Sequence, residues 1–168
     1  YVEDRFNELV ADGRIWFGAA GDNAPRMKKF LAESNQGLVP KTLWLSDEVG
    51  NTATAKAEAI ALLPDAEPFA TPKTEALMAR IIQVATNPGD IVLDCFLGSG
   101  TTAAVAHKMG RRWVGVERSA ETVATYAAPR LEKVVAGADA GGVTAATGWT
   151  GGGGFRLLSV APSMFADD

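Results

Sequence analysis

One stretch decides the fold class: DIVLDCFLGSGTTA at residues 90–103, followed by WVGVE at residues 113–117. The first apolar run ends at Asp94, a glycine-rich turn and a helix-forming segment come next, and the second apolar run ends at Glu117. This order is typical of strand, nucleotide-binding turn, helix and strand in a doubly wound sheet. Gly98 and Gly100 carry no Cβ, so they allow the backbone to bend tightly beside a ligand. We therefore predict an α/β fold.

The acidic residues around the turn indicate which ligand it holds. Glu117 is placed to accept hydrogen bonds from two ribose hydroxyls. Asp94 would repel a diphosphate at the helix N-terminus, but it suits an ammonium group, such as that of S-adenosylmethionine. Phe96 is then placed to lie against the adenine or the methionine part. A nicotinamide-dependent oxidoreductase remains the alternative, since the glycines loosely match the dinucleotide fingerprint.

Residues 94–102 resemble the cofactor motif of DNA amino-methyltransferases, the enzymes that methylate exocyclic amino groups of adenine or cytosine. FATPK at residues 69–73 resembles the segment that closes over the methionine end of the cofactor in that family. Because this segment precedes the cofactor motif, the order matches the permuted, β-type subgroup. Residues 12–18, 106–113 and 148–156 look like modification (Mod) subunits of type III restriction–modification systems. The resemblance covers nearly the whole chain and implies the C-terminal, cofactor-binding part of such an enzyme.

The resemblance implies part of a Rossmann-like S-adenosylmethionine-dependent methyltransferase sheet with helices on both faces. It implies three regions along the chain. Residues 1–65 would be the end of the catalytic half and a variable connecting region, residues 66–136 the S-adenosylmethionine-binding βαβ region, and residues 137–168 a glycine-rich loop and C-terminal strand. The residues expected to bind the cofactor are Pro72, Lys73, Asp94, Phe96, Gly98, Ser99, Gly100, Thr101, Thr102 and Glu117.

The tetrapeptide that holds the target amino group in this family, Asp/Asn/Ser-Pro-Pro-aromatic, does not occur here, because the sequence contains no Pro-Pro pair. In the permuted order we expect this motif upstream of Tyr1. We therefore expect no catalytic residue in this chain and no DNA methylation by the chain alone. A non-catalytic remnant that binds a restriction subunit is a further alternative.

The resemblance implies a site-specific enzyme that methylates adenine, in preference to cytosine, in double-stranded DNA within a restriction–modification system. It implies DNA contact through the full-length enzyme, and it leaves open a restriction-subunit partner and a homodimer. The net charge of −4 and the pI near 5.1 differ from the basic excess of domains that bind DNA by themselves. Composition therefore gives no support for independent DNA binding by this chain.

The remaining composition is that of a globular domain. Apolar residues make up 47% of the 168 residues, and no apolar run approaches the roughly 20 residues needed to cross a bilayer. A single cysteine, Cys95, is compatible with a reducing compartment. His107, the only histidine, has no partner at ligand spacing, so we expect no metal site. We expect a cytoplasmic protein with no membrane association.

Capping signals predict the helices nearest the site. Thr71 is a favourable N-cap, and Pro72 fits the first helical position. Lys73 then contacts the cofactor carboxylate or is solvated, and the sequence leaves both open because backbone amides at a helix N-terminus bind carboxylates by themselves. Ser119 is expected to cap the helix after the second strand, and Pro129 to kink or split it.

Two predictions concern segments farther from the turn. Asn23 is expected to cap a short helix with Pro25 in its first turn. Residues 155–160 form a short apolar run after four glycines, which predicts a further strand.

Overall fold

A computed structural model describes residues 2–34, 37 and 39–161. The chain divides into two compact units, residues 1–41 and residues 42–168. Within the described ranges no helix combines the length and apolar character needed to span a membrane. The three regions predicted from the sequence are defined by function, so their boundaries stay a prediction.

The described residues of the first unit form a helix, a short hairpin and a 3-10 turn. Helix α1 (Glu3–Ala11) leads into strand β1 (Ile15–Trp16), which pairs antiparallel with β2 (Arg26–Met27). A 3-10 turn (Leu31–Glu33) follows. The acidic residues in the first turn of α1 favour its N-terminus electrostatically.

The short helix predicted after Asn23 is wrong, because its residues belong to the hairpin. Asn23 N donates to the carbonyl of Phe17 at 2.7 Å within the connecting loop. The guanidinium of Arg14 then binds Glu33 at 2.6 and 2.7 Å and lies 5.1 Å from the ring centre of Phe30. These contacts join residues far apart in sequence, and they override a local capping signal.

The second unit alternates helices with two strands. It also contains a π-helical turn, Val123–Ala127, and a stretch without regular secondary structure at residues 151–161. Its elements are α2 (Ser46–Val49), α3 (Thr52–Leu62), α4 (Glu75–Ala85), β3 (Ile91–Asp94), α5 (Thr101–Lys108), β4 (Arg112–Gly115), α6 (Ala120–Thr122), α7 (Ala128–Val135) and α8 (Thr144–Thr147).

Strands β3 and β4 are parallel, with Ile91 beside Arg112 and Asp94 beside Gly115. A right-handed connection through a helix is the usual way to join two parallel neighbours, and here α5 makes the connection. The order strand, turn, helix, strand is therefore as predicted, and the described chain is a mixed helix and strand structure.

Helix α5 lies at the centre of the core. Its alanines pack closely, and Ala104, Val105 and Ala106 are fully buried. One side of the helix meets Ile82 of α4, and the other meets Leu131 and further residues of α7. Val92 and Trp113 from the two strands complete these clusters.

The opposite face of the two strands is open to solvent. Ile91 and Leu93 on β3 are 55% and 62% exposed, and Val114 and Val116 on and after β4 are 51% and 49% exposed. Alternate side chains of a strand point to opposite faces, so these four residues form one apolar surface. Helices on both faces, which the sequence predicts, therefore stay a prediction, because the described residues cover one face.

The helix after β4 is capped as predicted, because the Ser119 hydroxyl accepts from Thr122 N at 3.1 Å. Pro129 does not split it, because α6, the π-helical turn and α7 follow one another without a gap, and a kink at Pro129 stays a prediction. Proline has no N–H for the hydrogen bond that a continuous α-helix would make at position 129. The π-helical turn directly before it is one residue wider than an α-helical turn.

The strand predicted at residues 155–160 does not form. The glycines before it hold the chain against α7 and α5, since Gly152 N donates to Val135 at 2.8 Å and Gly152 O contacts His107 Nε2 at 3.0 Å. Phe155 packs against Trp113 with ring centres 6.1 Å apart. The apolar residues that follow are 65–98% exposed, so this run lacks a strand partner in the described chain: Leu157, Leu158 and Val160.

Candidate functional site

The turn between β3 and α5 requires glycine at two positions. Gly98 and Gly100 have φ values of 55° and 82°, in the left-handed region that side chains disfavour. A Cβ at Gly98 would lie 3.3 Å from the ring of Phe69, and one at Gly100 would lie 3.2 Å from the Cα of Ala127. The turn therefore passes close to two other segments.

Glu117 lies at the end of the second parallel strand and faces this turn. Its Oε2 accepts from Gly98 N at 2.9 Å, and its Oε1 accepts from Ser119 N at 2.9 Å. These N–H donors, with that of Ser119 the stronger cause, lower the pKa of the Glu117 carboxyl from its ordinary value. An ionised carboxylate has about four acceptor positions, so acceptor capacity remains for a ligand.

Asp94 ends β3 on the same edge of the sheet as Glu117. Its Oδ1 accepts from Phe96 N at 3.0 Å, which fixes the first bend of the turn. The Phe96 side chain points into solvent and is 91% exposed. A large ring that buries almost nothing in the fold is available to stack on a ligand.

The segment before α4 reaches the turn through Phe69. The Phe69 ring packs edge-on against Tyr126, with centres 5.1 Å apart, and the same ring lies beside Gly98. Residues 69–73 and residues 94–102, which are separate stretches in the sequence, therefore meet in space.

The predicted cap at Thr71 is wrong, because α4 begins at Glu75 with Thr74 as its N-cap. The Thr74 hydroxyl accepts from Leu77 N at 3.3 Å and donates to the carbonyl of Val49. That buried link to α2 decides which threonine caps the helix. Lys73 is exposed and its Nζ donates to Thr71 O at 3.4 Å, while Pro72 is buried.

The three hydroxyl side chains of the turn point away from solvent. Ser99 and Thr101 are 7% and 4% exposed, and their hydroxyls lie 3.4 Å apart. The Thr102 hydroxyl donates to the sulfur of Met78 at 3.5 Å. Gly100 is the N-cap of α5, and no side chain caps this helix. The backbone N–H groups of its first turn are therefore left for a ligand.

Sequence reasoning missed a buried charged cluster beneath the turn. Glu75, Lys108, Arg130 and Asp139 are each 2–4% exposed. Charged residues on helices are usually solvated, and the four lie far apart along the chain. The one local signal is the position of Glu75 directly after a capping threonine.

Comparison with known proteins defines the class. Residues 15–128, more than half of the chain, match the family described as DNA methylase. The chain belongs to this family, and the resemblance to DNA amino-methyltransferases inferred from residues 94–102 is confirmed.

Two relatives show which kinds of restriction-modification protein the chain is similar to. The chain is 52% identical over 90 residues to the probable type III restriction-modification enzyme HindVI Mod subunit of Haemophilus influenzae, a match that covers 54% of this chain and 12% of the relative. It is 57% identical over 53 residues to the type II methyltransferase M1.MboII of Moraxella bovis, covering 32% of this chain and 20% of the relative. The chain thus spans a fifth or less of the length of each, and the similarity to type III Mod subunits is confirmed.

Two solved structures are also similar in sequence. The crystal structure of M1.HpyAVI is 47% identical, with a TM-score of 0.34, over 35% of this chain and 29% of that chain. The M1.HpyAVI-SAM complex is 46% identical, with a TM-score of 0.36, over 38% of this chain and 32% of that chain.

Proposed function

We propose that this chain is the S-adenosylmethionine-binding portion of a site-specific DNA methyltransferase that methylates the exocyclic amino group of adenine in a restriction–modification system. One observation carries the proposal. Residues 69–73, the glycine turn and Glu117 converge at the carboxyl ends of two parallel strands, through Phe69 beside Gly98 and the Glu117–Gly98 hydrogen bond. Ligands of open α/β sheets bind at this edge.

The adenosine part of the cofactor fits beside Glu117 and Phe96. Glu117 is anchored by two backbone N–H groups and keeps acceptor positions for two ribose hydroxyls. The exposed Phe96 ring offers a face for the adenine. Gly98 and Gly100 leave no side chain between backbone and ligand.

The methionine part of the cofactor fits beside the first turn of α5 and Asp94. The uncapped first turn of α5 presents backbone N–H groups and a positive dipole end to a carboxylate. Asp94 supplies a negative charge for the ammonium group. Pro72 and the exposed Lys73 lie on the segment that Phe69 brings to the turn, and Ser99, Thr101 and Thr102 shape the turn from inside.

The chemistry then divides between cofactor and chain. S-adenosylmethionine supplies an activated methyl group when bound. The residues of this chain bind and orient it, so that positioning is their contribution to catalysis. None of them is assigned as catalytic, since the tetrapeptide that would hold a flipped base is not in the sequence.

The substrate and partners are proposed for the longer enzyme. The substrate is double-stranded DNA, and adenine is preferred to cytosine because a relative is named a type III Mod subunit. That name also supports a restriction-subunit partner, and a homodimer remains open. We propose a cytoplasmic location for the enzyme, where cellular DNA is accessible to it.

Binding of S-adenosylmethionine tests the proposal. Isothermal titration of the chain with S-adenosylmethionine and with NAD should give binding of the former only. Asp94→Asn should weaken it, whereas Asp90→Asn, four residues earlier and exposed, should not. Preferential binding of NAD, or no difference between the two variants, would overturn the assignment.

A further inference from the structure

Four charged side chains form a closed cluster beneath the glycine turn. Lys108 Nζ lies 2.7 Å from Glu75 Oε2 and 2.6 Å from Asp139 Oδ2, and Arg130 Nη2 lies 3.3 Å from Glu75 Oε1. All four are 2–4% exposed. Each cation is paired with a carboxylate, which is how proteins tolerate buried charge, and the partly buried carboxylate of Glu58 lies beside the cluster.

Arg130 connects this cluster to the turn. Its Nη1 donates to the Thr101 hydroxyl at 2.8 Å and to the Ser99 carbonyl at 3.4 Å, and its Nη2 donates to Glu75. One planar guanidinium therefore joins the turn before α5 to the first residue of α4. A lysine has one side-chain nitrogen, so it lacks the separate Nη1 and Nη2 groups that contact Thr101 and Glu75 here.

Glu75 transmits this contact to the segment before α4. It follows Lys73 by two residues, and its own N–H donates to Glu58 Oε2 at 3.0 Å. Its Oε2 also accepts from Val143 N at 3.0 Å. The carboxylate and the amide of one residue are thus fixed by several elements, so the start of α4 has little freedom to move independently of the turn.

We infer that Arg130 is a positioning residue of the cofactor site, which couples the turn at residues 98–101 to the segment at residues 71–73 through Glu75. Arg130 is buried, so we assign it no contact with the cofactor and an effect only through these two segments. It sets the distance between the two parts that grip opposite ends of the cofactor. The inference rests on the proposed function, and it adds the residue that fixes the positions of these two segments relative to each other.

Amide hydrogen exchange of the unliganded chain tests the coupling without the cofactor. Arg130→Lys keeps the buried charge but loses the bridge, so exchange should accelerate about tenfold or more at both residues 97–102 and residues 71–77. Lys133→Met is the matched control on the same helix, because it removes a bond to Leu62 O that does not involve the turn. It should leave both segments unchanged.

The affinity for S-adenosylmethionine provides the second measurement. Arg130→Lys should weaken binding about tenfold or more at unchanged circular dichroism, and Lys133→Met should not. If Arg130→Lys does not fold, Thr101→Val, which cuts the bridge at the turn, should still accelerate exchange at residues 71–77.

Unchanged exchange at either segment, or equal acceleration along the whole chain, would overturn the coupling. If the unmodified chain fails to bind S-adenosylmethionine, the proposed function fails, and the exchange comparison still decides the coupling.

Discussion

The carboxylate of Glu117 accepts a hydrogen bond from the backbone N–H of Gly98 at 2.9 Å. This bond ties the end of the second parallel strand to the turn that follows the first. It places an anchored carboxylate beside the backbone that would contact a ligand, and it holds the turn in shape before any ligand arrives.

Replacing Glu117 should weaken cofactor binding. In Glu117→Gln one carboxylate oxygen becomes an NH₂ group, which cannot accept a hydrogen bond from a ribose hydroxyl, so one charge-assisted bond to the cofactor would be lost. The loss of a hydrogen bond to a charged group costs about 1.5–3 kcal/mol, or roughly 10- to 100-fold in affinity. Isothermal titration with S-adenosylmethionine measures it, and Glu121→Gln on exposed α6 is the control. Equal affinity of both variants would contradict the role of Glu117.

Gly100→Ala should destabilise the chain more than Gly110→Ala. Both positions have a left-handed backbone, with φ of 82° and 72°, which costs an L-residue roughly 1–2 kcal/mol. Only the Cβ at position 100 meets another segment, 3.2 Å from Ala127 Cα, whereas nothing lies within 4 Å at position 110. Urea denaturation compares the free energies of unfolding. Equal losses would show that the π-helical turn at Ala127 gives way and that the close approach is unimportant.

Phe96→Ala should reduce cofactor affinity without reducing stability. The side chain is 91% exposed, so its removal gives up almost no burial. Stacking on a ring is worth about 0.5–1.5 kcal/mol, which corresponds to roughly two- to tenfold in affinity. Thermal melting and titration measure the two quantities, with the exposed Leu158→Ala as control. A lower melting temperature with unchanged affinity would refute the stacking role.

Stability should depend on pH through Glu58. Burial raises the pKa of its carboxyl, despite the hydrogen bond from Glu75 N, which lowers it. A raised pKa in the folded state stabilises the fold below the unfolded pKa, and this stabilisation is lost as the pH rises through the folded pKa. Glu58→Gln keeps an acceptor for Glu75 N and removes the titration.

In denaturation curves from about pH 4 to pH 8, the free energy of unfolding of Glu58→Gln should therefore increase relative to that of the unmodified chain as the pH rises. Glu67→Gln, at an exposed glutamate, should run parallel to the unmodified chain. A constant difference between Glu58→Gln and the unmodified chain across the range would rule out this titration.

The order of strand, turn, helix and strand could be predicted from the sequence because each of its signals is local. Apolar runs ending at Asp94 and Glu117, glycines at 98 and 100, and a serine cap at 119 act through the backbone within a few residues. The same residues carry the family resemblance, so much of the candidate cofactor site followed from them.

Only the tertiary structure decided which of two competing local signals prevails. Thr74 displaces Thr71 as the cap because its hydroxyl reaches Val49, and Asn23 lies in a hairpin loop because the strands around it pair. The Arg130–Glu75 contact joins residues 55 positions apart, a separation that no capping or periodicity rule spans. Local preferences are worth about 1 kcal/mol each, so buried contacts between distant residues override them wherever the two disagree.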